Sequence, residues 1–187
     1  MVQVLKDDVK NRIFEAALNE FYKKDFKSAN LRSIANEADV SVGLIYSYFN
    51  NKEDLFDEIV KPAINISFEN FNYKNTDPYN VFINFERDMI LELLDNHKIF
   101  VILADKSSGT KYEEYKEQLV ENLTIHISEN IDKSHFNNKL ESDDVFIHIL
   151  ANTFIEGILE IARHYKGKKW AESMLDLFAE YYYNGFK

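Results

Sequence analysis

The chain contains no cysteine, which excludes disulfide staples and thiolate metal sites. Only 2 prolines and 5 glycines punctuate its 187 residues. So few breakers favour long helices over a turn-rich sheet protein. No uninterrupted apolar run of about 18 residues occurs, and Met1 to Asp8 lacks the apolar centre of a secretory signal. The expectation is a soluble, cytoplasmic protein with no membrane partner. Positive charge is scarce as well: 22 Lys and Arg face 32 Asp and Glu, for a net charge of −10. Any polyanion partner must therefore be held by fit more than by a general electrostatic field. Internal repeats, low-complexity tracts and sustained strand alternation are all missing. What is present is a hydrophobic share of 45%, enough for a real core, and an aromatic share of 14%.

Apolar residues recur at helical spacing along most of the chain. Val9, Ile13, Phe14, Ala17, Leu18, Phe21 and Tyr22 form one face. Leu31, Ile34, Ala35 and Ala38 form another, and Asp39-Val40-Ser41 breaks it. Val42 to Phe49 reads as a short helix. Asn51-Lys52-Glu53-Asp54 starts a longer one, whose apolar face runs from Leu55 to Phe71 with a bend at Pro62. Asn30, Ser41 and Asn51 are cap residues, and Asn51 with Asp54 resembles a capping pair. Asp77-Pro78 opens the next helix, which carries Val81, Phe82, Phe85, Met89, Ile90, Leu93 and Leu94. A short helix covers Ile99 to Asp105, Ser107 to Thr110 is a turn, and Tyr112 to Ile131 is a long amphipathic helix. Lys133 to Asp144 is polar. Val145 to Tyr165 is apolar around most of its circumference and must be buried on several sides. Trp170 to Tyr182 forms the last helix. The sum is an all-α protein of about nine helices.

Leu31 to Leu55 has the layout of two short helices joined by a tight turn, a helix-turn-helix whose second helix can enter the major groove of DNA. Ile34-Ala35, Ala38, Val40-Ser41, Gly43, Tyr46, Tyr48-Phe49, Lys52-Glu53 and Leu55 resemble the N-terminal signature of TetR-type transcriptional regulators. The resemblance covers about Val9 to Val60. Asp39 stands where the family usually has glycine, and Asn30 where it has a hydroxyl residue. Asp tolerates the left-handed conformation after a helix end, and Asn is a good cap. The resemblance implies a three-helix DNA-binding domain, here 1–52, and a helical ligand-binding and dimerisation domain, 53–187. It also implies a homodimeric regulator, most simply a repressor released from a palindromic operator by a small aromatic or hydrophobic effector. From Met1 to Val60, 8 Lys and Arg face 11 Asp and Glu, so the electrostatic share of binding should be small.

The segment Val42 to Phe49 has no charged side chain, so it cannot supply the common Arg–guanine contact. Base reading falls to Ser41, Val42, Leu44, Ser47 and the tyrosines, with Gly43 permitting close backbone approach. The resemblance implies that Tyr46, Tyr48 and Lys52 hold phosphates, and Asn30 and Arg32 can add contacts from the preceding helix. Effector-facing candidates are Phe85, Met89, Phe100, Tyr112, Asn152 and Glu156. The last two belong to a polar stripe, His148, Asn152, Glu156, Glu160 and His164, that is either a solvated seam or a cavity wall. By the resemblance, the last two helices pair with a partner's; the residues expected there are Phe154, Ile158, Ile161, Trp170, Met174, Phe178 and Tyr181. No catalytic residue, metal ligand or cofactor is expected. One alternative is a helix-turn-helix protein that works through protein partners without DNA. Another is a helical-bundle metalloenzyme, which has little support: Glu160 and His164 are spaced i,i+4, and no Glu-x-x-His occurs.

Overall fold

In a computed structural model of the chain, the described residues are 2–64, 79, 82–130 and 144–184. Among them are nine α-helices, one π-helical turn and no strand. The helices are α1 (Val2–Lys23), α2 (Leu31–Glu37), α3 (Val42–Tyr48), α4 (Lys52–Ile64), α5 (Arg87–Asp95), α6 (His97–Asp105), α7 (Tyr115–Asn130), α8 (Asp144–Arg163) and α9 (Lys168–Asn184). The π-turn, Phe82–Glu86, runs directly into α5. The expected continuation of α4 beyond Ile64, the Asp77-Pro78 cap, the polar connection before Asp144 and the side chain of Phe85 lie outside the described residues. Pro62 sits inside α4, which continues through Ile64. The chain separates into two compact units, 1–65 with 98–114, and 66–97 with 115–187.

The first unit is built on α1, against which α2 and α4 pack. Its core is the set that the helical spacing marks: Ile13, Ala17, Phe21, Ile34, Ala35, Ala38, Ile45, Phe49, Leu55, Phe56 and Ile59 are all buried. Phe56 is the hub. Its ring meets Phe21 edge-on at 5.1 Å, Phe26 at 5.2 Å and Tyr112 at 6.2 Å. Phe100, Ile102 and Leu103 of α6 are also buried. The following segment is held to the α1–α2 loop. Phe26 N–H donates to the Lys106 carbonyl at 2.8 Å, and Lys27 Nζ lies 3.2 Å from Ser108 Oγ. The long helix expected from Tyr112 begins only at Tyr115. Side-chain oxygens compete for the intervening backbone: Ser107 Oγ reaches the Leu103 and Tyr112 carbonyls, and Tyr112 N–H donates to Thr110 Oγ1 at 3.0 Å.

In the second unit α8 packs against α7, α9 and α5. Ile147, Ala151, Ile155 and Leu159 are buried along one face, and Phe154, Ile158 and Ile161 along another. By length and composition alone, Val145–Arg163 could cross a membrane. Its two buried faces make it a core helix of this unit. Gly157 lets α9 come close. A Cβ there would lie 2.2 Å from Phe178 Cζ. The polar stripe is a solvated seam for His148, Asn152, Glu160 and His164, all exposed. Arg87 clamps Asp176 with two hydrogen bonds, at 2.7 and 2.9 Å, tying α5 to α9.

Among the described residues, one carboxyl group is buried inside this unit. Glu86, the last residue of the π-turn, is 5% exposed. Burial pushes its carboxyl up to about 7, with the hydrogen bond from the Tyr183 hydroxyl acting the other way. The folded state therefore prefers the protonated acid. That contribution is whole below the unfolded value of 4.5 and disappears as pH rises through about 7. A loss of about 3 kcal/mol across this window is expected, and Glu86→Gln should flatten it. Denaturant unfolding of both proteins at pH 4.5, 6 and 8 checks this; equal pH profiles would refute it.

Candidate nucleic-acid interface

The helix-turn-helix is held by caps that the sequence marks. Asn30 caps α2, its side chain accepting from Arg32 N–H at 2.8 Å. Ser41 caps α3, its Oγ accepting from Leu44 N–H at 3.1 Å. Asn51 accepts from Asp54 N–H at 2.8 Å, and Asp54 reaches back to Asn50 N–H at 2.9 Å, one residue short of a regular capping box. Between α2 and α3, Asp39 takes the left-handed conformation with φ of 52°. That is the position where the resembled signature has glycine, and it is the one such non-glycine residue among those described.

Two side chains that the sequence reading left unassigned lock this frame. Arg12 of α1 donates to the Ala38 carbonyl at 2.7 Å, fixing the turn from the opposite helix. Glu20, itself buried, accepts from Lys24 Nζ at 2.8 Å and from Asn30 N–H at 3.1 Å. Burial works to raise its pKa, but these hydrogen bonds together with the charges of Lys24 and Lys23 outweigh it, and the net shift is downward. Glu20 is thus an anion tying the end of α1 to the start of α2. Both residues lie on α1, 26 and 10 residues before their backbone partners. Periodicity gives no signal for such pairs.

Helix α3 presents its outward face as expected. Ile45 is buried, whereas Leu44 (37% exposed), Tyr46 (53%), Ser41, Gly43 and Ser47 are exposed. Val42 and Tyr48 are half-buried. Ser47 Oγ donates to the Leu44 carbonyl at 2.7 Å, which leaves its lone pairs outward. Arg32 is exposed on α2. The face is apolar and hydroxylic, with an uncharged helix at its centre.

Lys52, expected to be exposed, is half-buried, and its ammonium is engaged within the unit. Its Nζ donates to the carbonyls of Phe26 at 2.6 Å and Ala29 at 3.1 Å, and it lies 4.4 Å from the centre of the Phe26 ring. The ammonium fastens the α1–α2 loop to the start of α4. Lys52→Met should therefore cost about 2 kcal/mol by leaving those carbonyls without their charged donor. Thermal unfolding of the variant reads this; an unchanged melting temperature combined with a weaker salt dependence of DNA binding would restore the phosphate role.

The expected effector residues fall in both units, and the expected interface residues in the second. Phe100 is core in the first unit, and Tyr112 stacks by Phe56 there, while Met89, Asn152 and Glu156 belong to the second. Asn152 points to solvent. Glu156 is half-buried and paired with Lys116 at 2.8 Å and Arg163 at 3.1 Å; the Lys116 hydrogen bond is the largest influence holding its pKa down. Of the interface set, Phe154, Ile158 and Ile161 are buried inside the subunit, and Phe178 packs on Phe154 at 5.7 Å. The first three are core residues of the single chain, and Phe178 is half-buried. Trp170 and Met174 are half-buried and Tyr181 is 83% exposed. Leu177, 60% exposed, joins them on the outer face of α9. Its spacing from Trp170, Met174 and Tyr181 is one helical stripe, a signal present in the sequence.

Residues 13–59 match the family described as bacterial regulatory proteins, tetR family. An uncharacterized HTH-type transcriptional regulator of Bacillus subtilis is 44% identical over 52 residues, 28% of this chain and 27% of that protein. An HTH-type transcriptional repressor of Streptomyces coelicolor is 42% identical over 52 residues, again 28% and 27%. The match thus spans about a quarter of the length of these curated relatives. The fold likeness is broader. A TetR-like transcriptional regulator from Rhodococcus sp. RHA1 superposes with a TM-score of 0.56 at 14% identity, over 91% of this chain and 93% of the other. Residues 13–59 thus match the helix-turn-helix segment of the TetR family, and the likeness over the whole chain is one of fold.

Proposed function

We propose that the chain is a homodimeric, effector-responsive repressor that reads a palindromic operator with α3. The observation that carries this reading is the outward face of α3: capped by Ser41, anchored by Ile45 and free of charge, it fits a groove by contour. Leu44 suits thymine methyl groups, and the hydroxyls of Ser41, Ser47 and Tyr46 suit base edges or phosphates. Arg32 supplies a cation beside them. DNA recognition is assigned to 1–52, and effector binding and dimerisation to 53–187. The Streptomyces relative's description as a repressor supports the sign of regulation. Trp170, Met174, Leu177 and Tyr181 form an apolar stripe suited to a partner's α9, which supports a two-fold assembly. A two-fold protein in turn requires half-sites spaced by a helical turn or more.

Selection from a random duplex pool with the full-length protein at about 50 and 200 mM salt tests the reading. An enriched palindrome, with a shallow salt dependence because few phosphates are neutralised, is the expected outcome. The net negative charge of the first 60 residues supports a second reading, a protein-binding helix-turn-helix. Failure to enrich any sequence at either salt would favour that one.

A further inference from the structure

The turn between α2 and α3 holds a conformation that its central residue resists. Asp39 has φ of 52°, in the left-handed region where a Cβ crowds the following carbonyl oxygen. Aspartate tolerates that region, but glycine alone enters it freely. The turn's own bonds are few. Val40 N–H donates to the Ala35 carbonyl at 2.9 Å, and Asp39 N–H to the Asn36 carbonyl at a long 3.3 Å. A further hold comes from outside the turn. Arg12 Nη1 donates to the Ala38 carbonyl at 2.7 Å and lies 3.5 Å from the Asp39 carbonyl. Asp8, one turn earlier on α1, braces Arg12 Nε at 3.4 Å. Ala38 is the C-cap of α2, so the guanidinium sits where helix carbonyls lack intrahelical partners and a cation is favoured. It therefore grips the two residues through which the chain leaves α2 and turns toward α3.

We infer that Arg12 is a positioning residue for the recognition helix: by gripping the Ala38 and Asp39 carbonyls it keeps the left-handed turn closed and fixes the angle at which α3 meets the groove. This deepens the DNA reading of α3 and rests on it. Released from Arg12, Asp39 relaxes toward negative φ, and the swing of one residue redirects everything after it. The orientation that fits DNA then becomes one of several, and apparent affinity falls by the fraction of molecules that leave it. Helix α3 is sensitive to this loss because it carries no charge. Its affinity rests on the fit of Leu44, Tyr46 and Ser47, with no long-range attraction from the helix itself to offset a misplaced contour. Arg12 is exposed, so the competing role for it is a direct phosphate contact. Salt separates the two, since only a phosphate contact releases counterions. The residue at position 39 separates them again. Glycine there removes the Cβ conflict, the turn's own bonds then suffice, and Arg12 becomes dispensable.

The test titrates the duplex enriched by the full-length wild type with four variants: Arg12→Met, Arg12→Lys, Asp39→Gly, and Arg12→Met combined with Asp39→Gly. Affinity is read between about 50 and 200 mM salt, with hydrogen exchange of the Val40 amide and thermal unfolding on the same samples. Arg12→Met should bind about tenfold more weakly, with an unchanged salt slope, faster Val40 exchange and a fold still intact at the assay temperature. Arg12→Lys keeps a cation near the same carbonyls and should recover part of the loss. Asp39→Gly alone should stay within about twofold of wild type, and in the double variant it should restore most of the lost affinity. Full affinity in Arg12→Met overturns the inference. So does a salt slope shallower by about one, which makes Arg12 a phosphate contact. So does a loss that Asp39→Gly leaves in place, or one that follows global unfolding in both Arg12 variants. A wild type that binds DNA with Arg12 indifferent sinks this inference alone, whereas one that enriches no duplex sinks the regulator reading and this with it.

Discussion

Phe56→Ala should cost about 3–5 kcal/mol and abolish operator binding at ordinary temperature. Three rings meet this side chain: Phe21 of α1, Phe26 of the α1–α2 loop and Tyr112. Truncation leaves a void between α1 and α4, and the surrounding helices are held by caps and hydrogen bonds that cannot all follow a collapse. Because α2 packs on α1 and α3 on α2, the reading helix loses its platform. Chemical denaturation monitored by circular dichroism measures the loss. A change below about 1 kcal/mol would show that the ring cluster tolerates the void and that the unit's stability lies elsewhere.

Leu177→Asp combined with Tyr181→Asp should leave the subunit folded and make it monomeric. Both residues are mostly exposed in the single chain, so the substitutions open no cavity in it. In a two-fold contact each appears twice, so four carboxylates would meet across the axis. Buried, unpaired charge is among the costliest changes an interface can suffer. Operator affinity should fall by about two orders of magnitude or more, since one half-site must then bind alone. Sedimentation velocity and a mobility-shift titration on the same samples read both effects. A double variant that remains dimeric would move the contact off α9 and remove this support for a palindromic site.

Much of the DNA-facing unit was legible before any coordinates. Its signals are local: cap residues at Asn30, Ser41 and Asn51, apolar spacing in α2 and α4, and a left-handed residue at Asp39. Each acts over three or four residues, and each recurs in the structure. What periodicity could not supply was the partner at a distance. Lys52 is a polar residue at a helix start, and its three carbonyl partners lie 23 to 26 residues upstream. Arg12 likewise looks like any surface arginine until α2 folds back against it. On α8 the limit was of another kind. Two apolar stripes were visible, but spacing does not say whether a stripe meets its own subunit or another; Phe154 and Ile158 turned out to be internal. Glu86 was readable in retrospect. It shares a helical stripe with Phe82, Met89 and Leu93, and a carboxylate in an apolar stripe is a departure that invites a reason.

The clasp around the α1–α2 loop has a practical consequence for exchanging parts between regulators. Lys52 grips that loop from one side and the 106–108 stretch grips it from the other, though the second grip arrives some eighty residues later in the chain. A grafted N-terminal piece that stops at residue 65 would leave the Phe26 amide and the Lys27 ammonium without their acceptors. Hybrid regulators built from this chain should carry residues 98–114 with the reading head, as one inseparable cassette.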